Sequence, residues 1–174
     1  MVDVEKLQFP IGKFVPEKEF SREKTNQIIL NLENFPQQID EIVEKLKQED
    51  LDKTYRPQGW TARQVIHHIA DSQMIFYLRM KLALTDDQPV VNAFNDTLWG
   101  ELADNQLPID YSLSIIRGIY PRLVEFIKSF SDEDFHLVYF NQKKEATKMY
   151  EILHFADWHG RHHLAHIQLI LNSV

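Results

Sequence analysis

The chain of 174 residues contains no cysteine, which removes a disulfide framework, a thiolate metal site and a thiol nucleophile at once. A cytoplasmic setting fits that composition. Positive charge is scarce as well. The 19 Lys and Arg are scattered and outnumbered by 26 Asp and Glu, for a net charge of -7, so no footprint for DNA or RNA emerges. No apolar run approaches the roughly 20 residues of a membrane span. Met1-Val2-Asp3-Val4-Glu5-Lys6 places acids where a signal peptide carries a basic and then an apolar stretch. Neither export nor membrane insertion is expected. His-Glu-x-x-His and its inverse are missing, which excludes the zincin arrangement. Glu-x-x-His occurs twice, but only Glu151 to His154 lies in a segment of helical period; Glu133 to His136 falls in the polar stretch after Phe130, whereas a di-iron carboxylate bundle needs two such pairs on its helices.

What is present is an ordinary globular composition, 44% hydrophobic and 26% charged, on a length that suits one domain over residues 1–174. Pro10, Gly12 and Pro16, without helical period, predict an extended arm over residues 1–19. Ser21 is a good N-cap for a first long helix carrying Ile28, Ile29, Leu32, Phe35, Ile39, Ile42, Val43 and Leu46, kinked at Pro36 and ending near 48. Tyr55 to Trp60 reads as a turn, and Thr61 with Gln64 as the capping box of a second helix over about 62–85. Residues 86–110, with Pro89, Gly100 and Pro108, predict a long crossover with one short helical turn near Thr97 to Leu102. A third helix is expected from Ser112 to about Phe130. Leu137 to Phe140 and the polar run after it suggest a small hairpin, before Thr147 caps a last helix reaching about 172. Four long amphipathic helices with one long crossover describe an all-α four-helix bundle.

Five of the eight histidines fall between His154 and His166, and His67-His68 forms a pair about ninety residues earlier. On a helix His159 and His163 share one face. At about 100° per residue that face also carries Ile152, Phe155, Ala156, His166, Ile167 and Ile170, while His154, Asp157, Arg161 and Gln168 point toward solvent. Two imidazoles among isoleucines need partners for their ring nitrogens, and a shared metal ion supplies one. On the second helix His68 lies beside the stripe of Val65, Ile69, Phe76 and Met80. His67 lies nearly opposite it, facing solvent or a subunit contact. His68, His159 and His163 are therefore the candidate ligands of one divalent ion, with Zn or Ni suiting three neutral imidazoles. His162 and His166 form a second i,i+4 pair. Asp71 is a candidate base or ligand-orienting residue, set against a plain solvated acid. Tyr55, Trp60 and Trp99 read as packing anchors or as walls of a substrate cleft.

The motifs Pro10-Ile11-Gly12-Lys13-Phe14, Tyr55 to Ser72 with its Gly59-Trp60-Thr61 and His67-His68, and Trp158-His159-Gly160-Arg161-His162-His163-Leu164-Ala165-His166-Ile167 together resemble the DinB/YfiT-like family. The likeness is strongest to its YfiT branch. It implies a four-helix bundle with three histidine ligands, the second of the His-His pair and the i,i+4 pair of the last helix, which fall on His68, His159 and His163. It further implies a metal-dependent hydrolase, or an S-transferase using bacillithiol or a similar low-molecular-weight thiol on a small-molecule substrate, and a homodimer. Two departures stand out: Gln73 where a histidine often follows Ala-Asp-Ser, and Asn141-Gln142 where His-Pro is common. The alternative reading is a non-catalytic bundle whose metal is structural or absent.

Overall fold

The computed structural model describes residues 4–172. The four long periodic segments become α2 (Arg22–Val43), α3 (Ala62–Thr85), α5 (Asp110–Lys128) and α6 (Met149–Asn172). They are supplemented by α1 (Val4–Gln8), α4 (Asp96–Gly100) and a hairpin of β1 (Val138–Phe140) and β2 (Ala146–Lys148). Local chemistry sets the starts. Ser21 Oγ accepts from the amide of Lys24, and Thr61 and Gln64 form a reciprocal capping box at the head of α3. Asn95 caps α4 through the Leu98 amide at 3.0 Å. Asn141 closes the hairpin, its Oδ1 accepting from the amides of Lys143 (2.8 Å) and Glu145 (3.0 Å).

Around the bundle α2 packs on α5 and α6, and α3 packs on the same two helices from the other side. Two seams result with different chemistry. The α2–α5 seam is apolar, with Phe35 and Tyr120 stacked at 4.4 Å between centroids. Gly160 of α6 lets this layer close in. A Cβ there would lie 2.7 Å from Phe35 and 3.2 Å from the Tyr120 hydroxyl, a clash no rigid ring can absorb. The α3–α6 seam is lined by histidines.

Several boundaries differ from expectation. The arm over residues 1–19 is not wholly extended: residues 4–8 form α1, and the chain becomes irregular only after Phe9, with Gly12 at φ 82°. The first long helix ends at Val43 rather than near 48, where a short 3-10 segment (Gln48–Asp52) follows. α5 starts at Asp110, so Ser112 lies inside it and its hydroxyl bonds His67 instead of capping. Thr147 is not a cap but the β2 residue opposite Tyr139, and the free amide of Lys148 is met by Glu151 Oε2 at 2.7 Å. The crossover holds a second short helical piece, Ala103–Gln106. Among the described residues no helix is long and apolar enough to cross a membrane.

Candidate metal centre

α3 and α6 bring His68, His159 and His163 together, with one ring nitrogen of each within 4.8 Å of the others. His68 Nε2 lies 3.0 Å from His159 Nε2. All three rings are buried, and burial first, with their mutual charge repulsion behind it, pushes the His159 and His163 pKa values well below the ordinary range. Burial likewise holds His68 down to about 4. At neutral pH the three are uncharged and offer lone pairs.

The proton positions follow from the surrounding hydrogen bonds. His166 Nε2 donates to the carbonyl of Gln8 at 3.2 Å. Burial takes the His166 pKa down to about 3, so the ring carries a single proton and its Nδ1 is an acceptor. His163 Nδ1, 3.3 Å away, must then be the donor. That tautomer leaves His163 Nε2 as a lone pair, the form a metal needs. The second i,i+4 pair therefore supports the first: His166 relays the backbone carbonyl of α1 to His163. His162 stacks on Trp158 at 4.5 Å, and burial lowers its pKa to about 4.

His67 shows the contrast. It is buried rather than solvent-facing, because α5 and the crossover cover that side of α3. Its Nε2 donates to the Leu107 carbonyl at 3.2 Å, so its Nδ1 accepts from Ser112 at 2.7 Å. Both nitrogens are thus occupied as a structural clasp. His154 and Asp157, also expected to face solvent, are buried: the arm and the start of α2 cover His154, and Asp157 accepts from Asn31 (3.0 Å) and Arg161 (2.7 Å). Arg161 and Gln168 are exposed as expected.

The triad opens on a cavity of about 570 Å³. Trp60 packs on His68 (4.5 Å) and Phe76 on His159 (5.3 Å), fixing the rings from the sides. Ser72 Oγ lies 3.3–3.4 Å from the His68 nitrogens. Tyr55 stacks on His166 at 3.8 Å, so Tyr55 and Trp60 line the cavity, whereas Trp99 packs on Phe94 behind it. Asp71 is half-buried, its pKa raised by burial and by Asp104, and it is not among the cavity's lining residues. The carboxylate on the wall is Asp96, whose charge reaches His68. Sequence reasoning missed it; its only signal was its place in the long crossover. Gln73 is buried with its amide nitrogen unpartnered.

Residues 31–167 match the DinB superfamily. Curated relatives from Bacillus cereus (strain 03BB102) and Bacillus anthracis (strain A0248), each named "Putative metal-dependent hydrolase", are 37% identical over 161 residues, 92% of this chain and 93% of theirs. The solved structure of YfiT from Bacillus subtilis, described as a probable metal-dependent hydrolase with an unusual four-helix bundle topology, superposes with a TM-score of 0.92. It shares 32% identity over 97% of both chains. A mycothiol-dependent maleylpyruvate isomerase shares the fold at TM-score 0.64 and 12% identity, over 82% of this chain and 60% of that one.

Proposed function

The chain belongs to the DinB superfamily, and on that premise we propose that it is a metal-dependent enzyme whose ion is held by His68, His159 and His163. The observation that carries this reading is the convergence of three neutral ring nitrogens, one of them freed by the His166–Gln8 relay, on the wall of a cavity of about 570 Å³. Three protein donors is the number of catalytic zinc sites, against four in structural ones. The cavity falls in the range of roughly 300–1,000 Å³ that takes small molecules. A divalent ion bound there, zinc or nickel by the nature of its donors, supplies Lewis acidity and a lowered pKa for a coordinated water or thiol.

The chain's own residues do the rest. Trp60 and Phe76 exclude water from the sides of the histidine rings, and the relay through His166 keeps the donor of His163 turned inward. Asp96 lines the cavity and its charge reaches His68, so it is the carboxylate placed to serve the site, whereas Asp71 does not line the cavity.

Hydrolysis is the reading favoured by the names of the 37% identical relatives. Thiol transfer is the second reading. With no cysteine in the chain, a sulfur nucleophile would have to come from a small-molecule thiol. The test compares zinc, nickel and metal-free protein at equal folded fraction. Ester and amide panels are assayed alongside low-molecular-weight thiols with a haloaromatic acceptor. Metal-dependent turnover with water alone supports the hydrolase, and turnover only with thiol the transferase. A metal content near zero after reconstitution overturns the metal-dependent reading.

A further inference from the structure

Seven arginines occur in the chain, and four of them form ion pairs. All four use the same side-on fork, Nε and Nη2 against one carboxylate: Arg22 on Asp132, Arg63 on Asp52, Arg117 on Asp40 and Arg161 on Asp157. Arg56, Arg79 and Arg122 meet no acid within ion-pair distance among the described residues. Arg122 is exposed and rests over Tyr77. The other two line the cavity of the histidine triad.

Both are half-buried, and the Nε of each is buried without a hydrogen-bond partner. Each makes one hydrogen bond, Arg56 Nη1 to the Pro57 carbonyl (3.2 Å) and Arg79 Nη2 to the Asn92 carbonyl (3.4 Å). Aromatic faces hold the guanidinium groups, Tyr55 under Arg56 at 5.4 Å and Tyr139 under Arg79 at 5.7 Å. The turn at Gly59 is built around Arg56, since a Cβ there would lie 2.8 Å from Arg56 Cγ. In a chain with 26 carboxylates, a partly buried guanidinium held on an aromatic ring with no acid of its own calls for a ligand acid.

Their placement fits one elongated ligand. Arg79 follows His68 by eleven residues, three turns along the stripe of Ser72 and Phe76, and helical side chains lean back toward the N-terminus and hence toward the triad. Arg56 marks the other end, beside Tyr55, which stacks on His166. Among the described residues Asp96 is the one carboxylate on the wall, so with neutral histidines the described lining is net positive in a chain of net charge -7.

We propose that this cavity selects small organic anions, substrates bearing a carboxylate or phosphate group, and that Arg56 or Arg79, one at each end of an aromatic-walled trough, receives that group. The placing of the reacting centre against the triad rests on the metal-dependent reading; the anion recognition does not.

The test is calorimetric binding of 3-phenylpropionate, 3-phenylpropionamide and 2-phenylethyl phosphate to metal-free and zinc-loaded protein, with zinc stoichiometry measured in parallel. At least one of the two anions is expected to bind about tenfold more tightly than the neutral amide, in both forms, as a charge-assisted fork would give. The R56Q/R79Q double variant should erase most of that preference while the amide binds as before, one of the two single variants should account for the loss, and R122Q should leave it intact. Whichever anion binds better identifies the head group. Equal binding of anions and amide by the native protein overturns the proposal, as does a preference that survives the R56Q/R79Q double variant. Zinc at full stoichiometry with no anion preference sinks this inference and leaves the metal reading standing. Anion preference without zinc uptake does the reverse.

Discussion

The α2–α5 and α3–α6 seams lie in one bundle and bury their side chains alike, yet the first is filled by Phe35, Tyr120 and their aliphatic neighbours and the second by a run of imidazoles. The dry seam stabilises in proportion to the apolar area it hides. In the histidine seam each buried ring costs stability unless its nitrogens are satisfied. The molecule thus separates the layer that holds it together from the layer that carries the candidate metal centre, and Gly160 lets α6 of the histidine seam close onto the dry one.

The separation can be broken from either side. The largest effect is expected from replacing His68, His159 or His163 with Ala: each should lose the bound ion, with metal-free thermal stability little changed, as elemental analysis and a melting curve would show. His166→Ala should keep the fold but weaken zinc binding by about 10–100-fold, the usual cost of removing the group that orients a ligand histidine; a competition titration with a chelator reads it. Phe35→Ala attacks the other seam, costing about 3–5 kcal/mol and lowering the melting temperature, with zinc stoichiometry unchanged. His67→Ala removes a clasp rather than a ligand. It should cost about 1–3 kcal/mol by stranding Ser112 and the Leu107 carbonyl and retain the ion; if it loses the ion as His68→Ala does, the division of labour within the pair is wrong.

Acid provides the mildest probe of the same comparison. The buried imidazoles have folded pKa values of about 4 (His68, His162) and about 3 (His166) against 6.5 when unfolded. Between those values the unfolded chain binds more protons than the folded one, so stability rises with pH across that window. Metal-free protein should be at full stability above pH 6.5 and lose it progressively as pH falls toward 4 and 3. The triad-to-Ala variants should show a shallower slope in a series of denaturant titrations.

Much of this was legible in the chain because helical period and capping chemistry are local. The four long helices, the crossover, the hairpin and the capping box at Thr61 all follow from residues within one or two turns of each other. The facing of His159, His163 and His68 was legible for the same reason. His67, His154 and Asp157 were not. A helical wheel ranks residues against one apolar stripe, whereas α3 is covered by α5, α6 and the crossover, and α6 by α2, α3 and the arm, so polar residues off the stripe are buried too. Asp96 and Arg56 were hidden by the same limit. Arg56 comes from a turn and Asp96 from the first residue of the short α4, and their place over the cavity depends on packing between distant parts of the chain. Arg79, by contrast, lies on the stripe of His68 and could have been read from spacing alone.

α1 has no buried residue, yet its last carbonyl, on Gln8, accepts the proton of His166 from 158 positions away. Segments without buried apolar contacts sit at the low end of a protein's local stability scale and open without the rest of the fold. The proton arrangement of His163 is therefore governed by a segment that contributes no buried residue to the core. Each local opening of α1 frees His166 to exchange tautomers, so amide exchange at residues 5–9 should report the readiness of the histidine seam more directly than any probe inside the bundle.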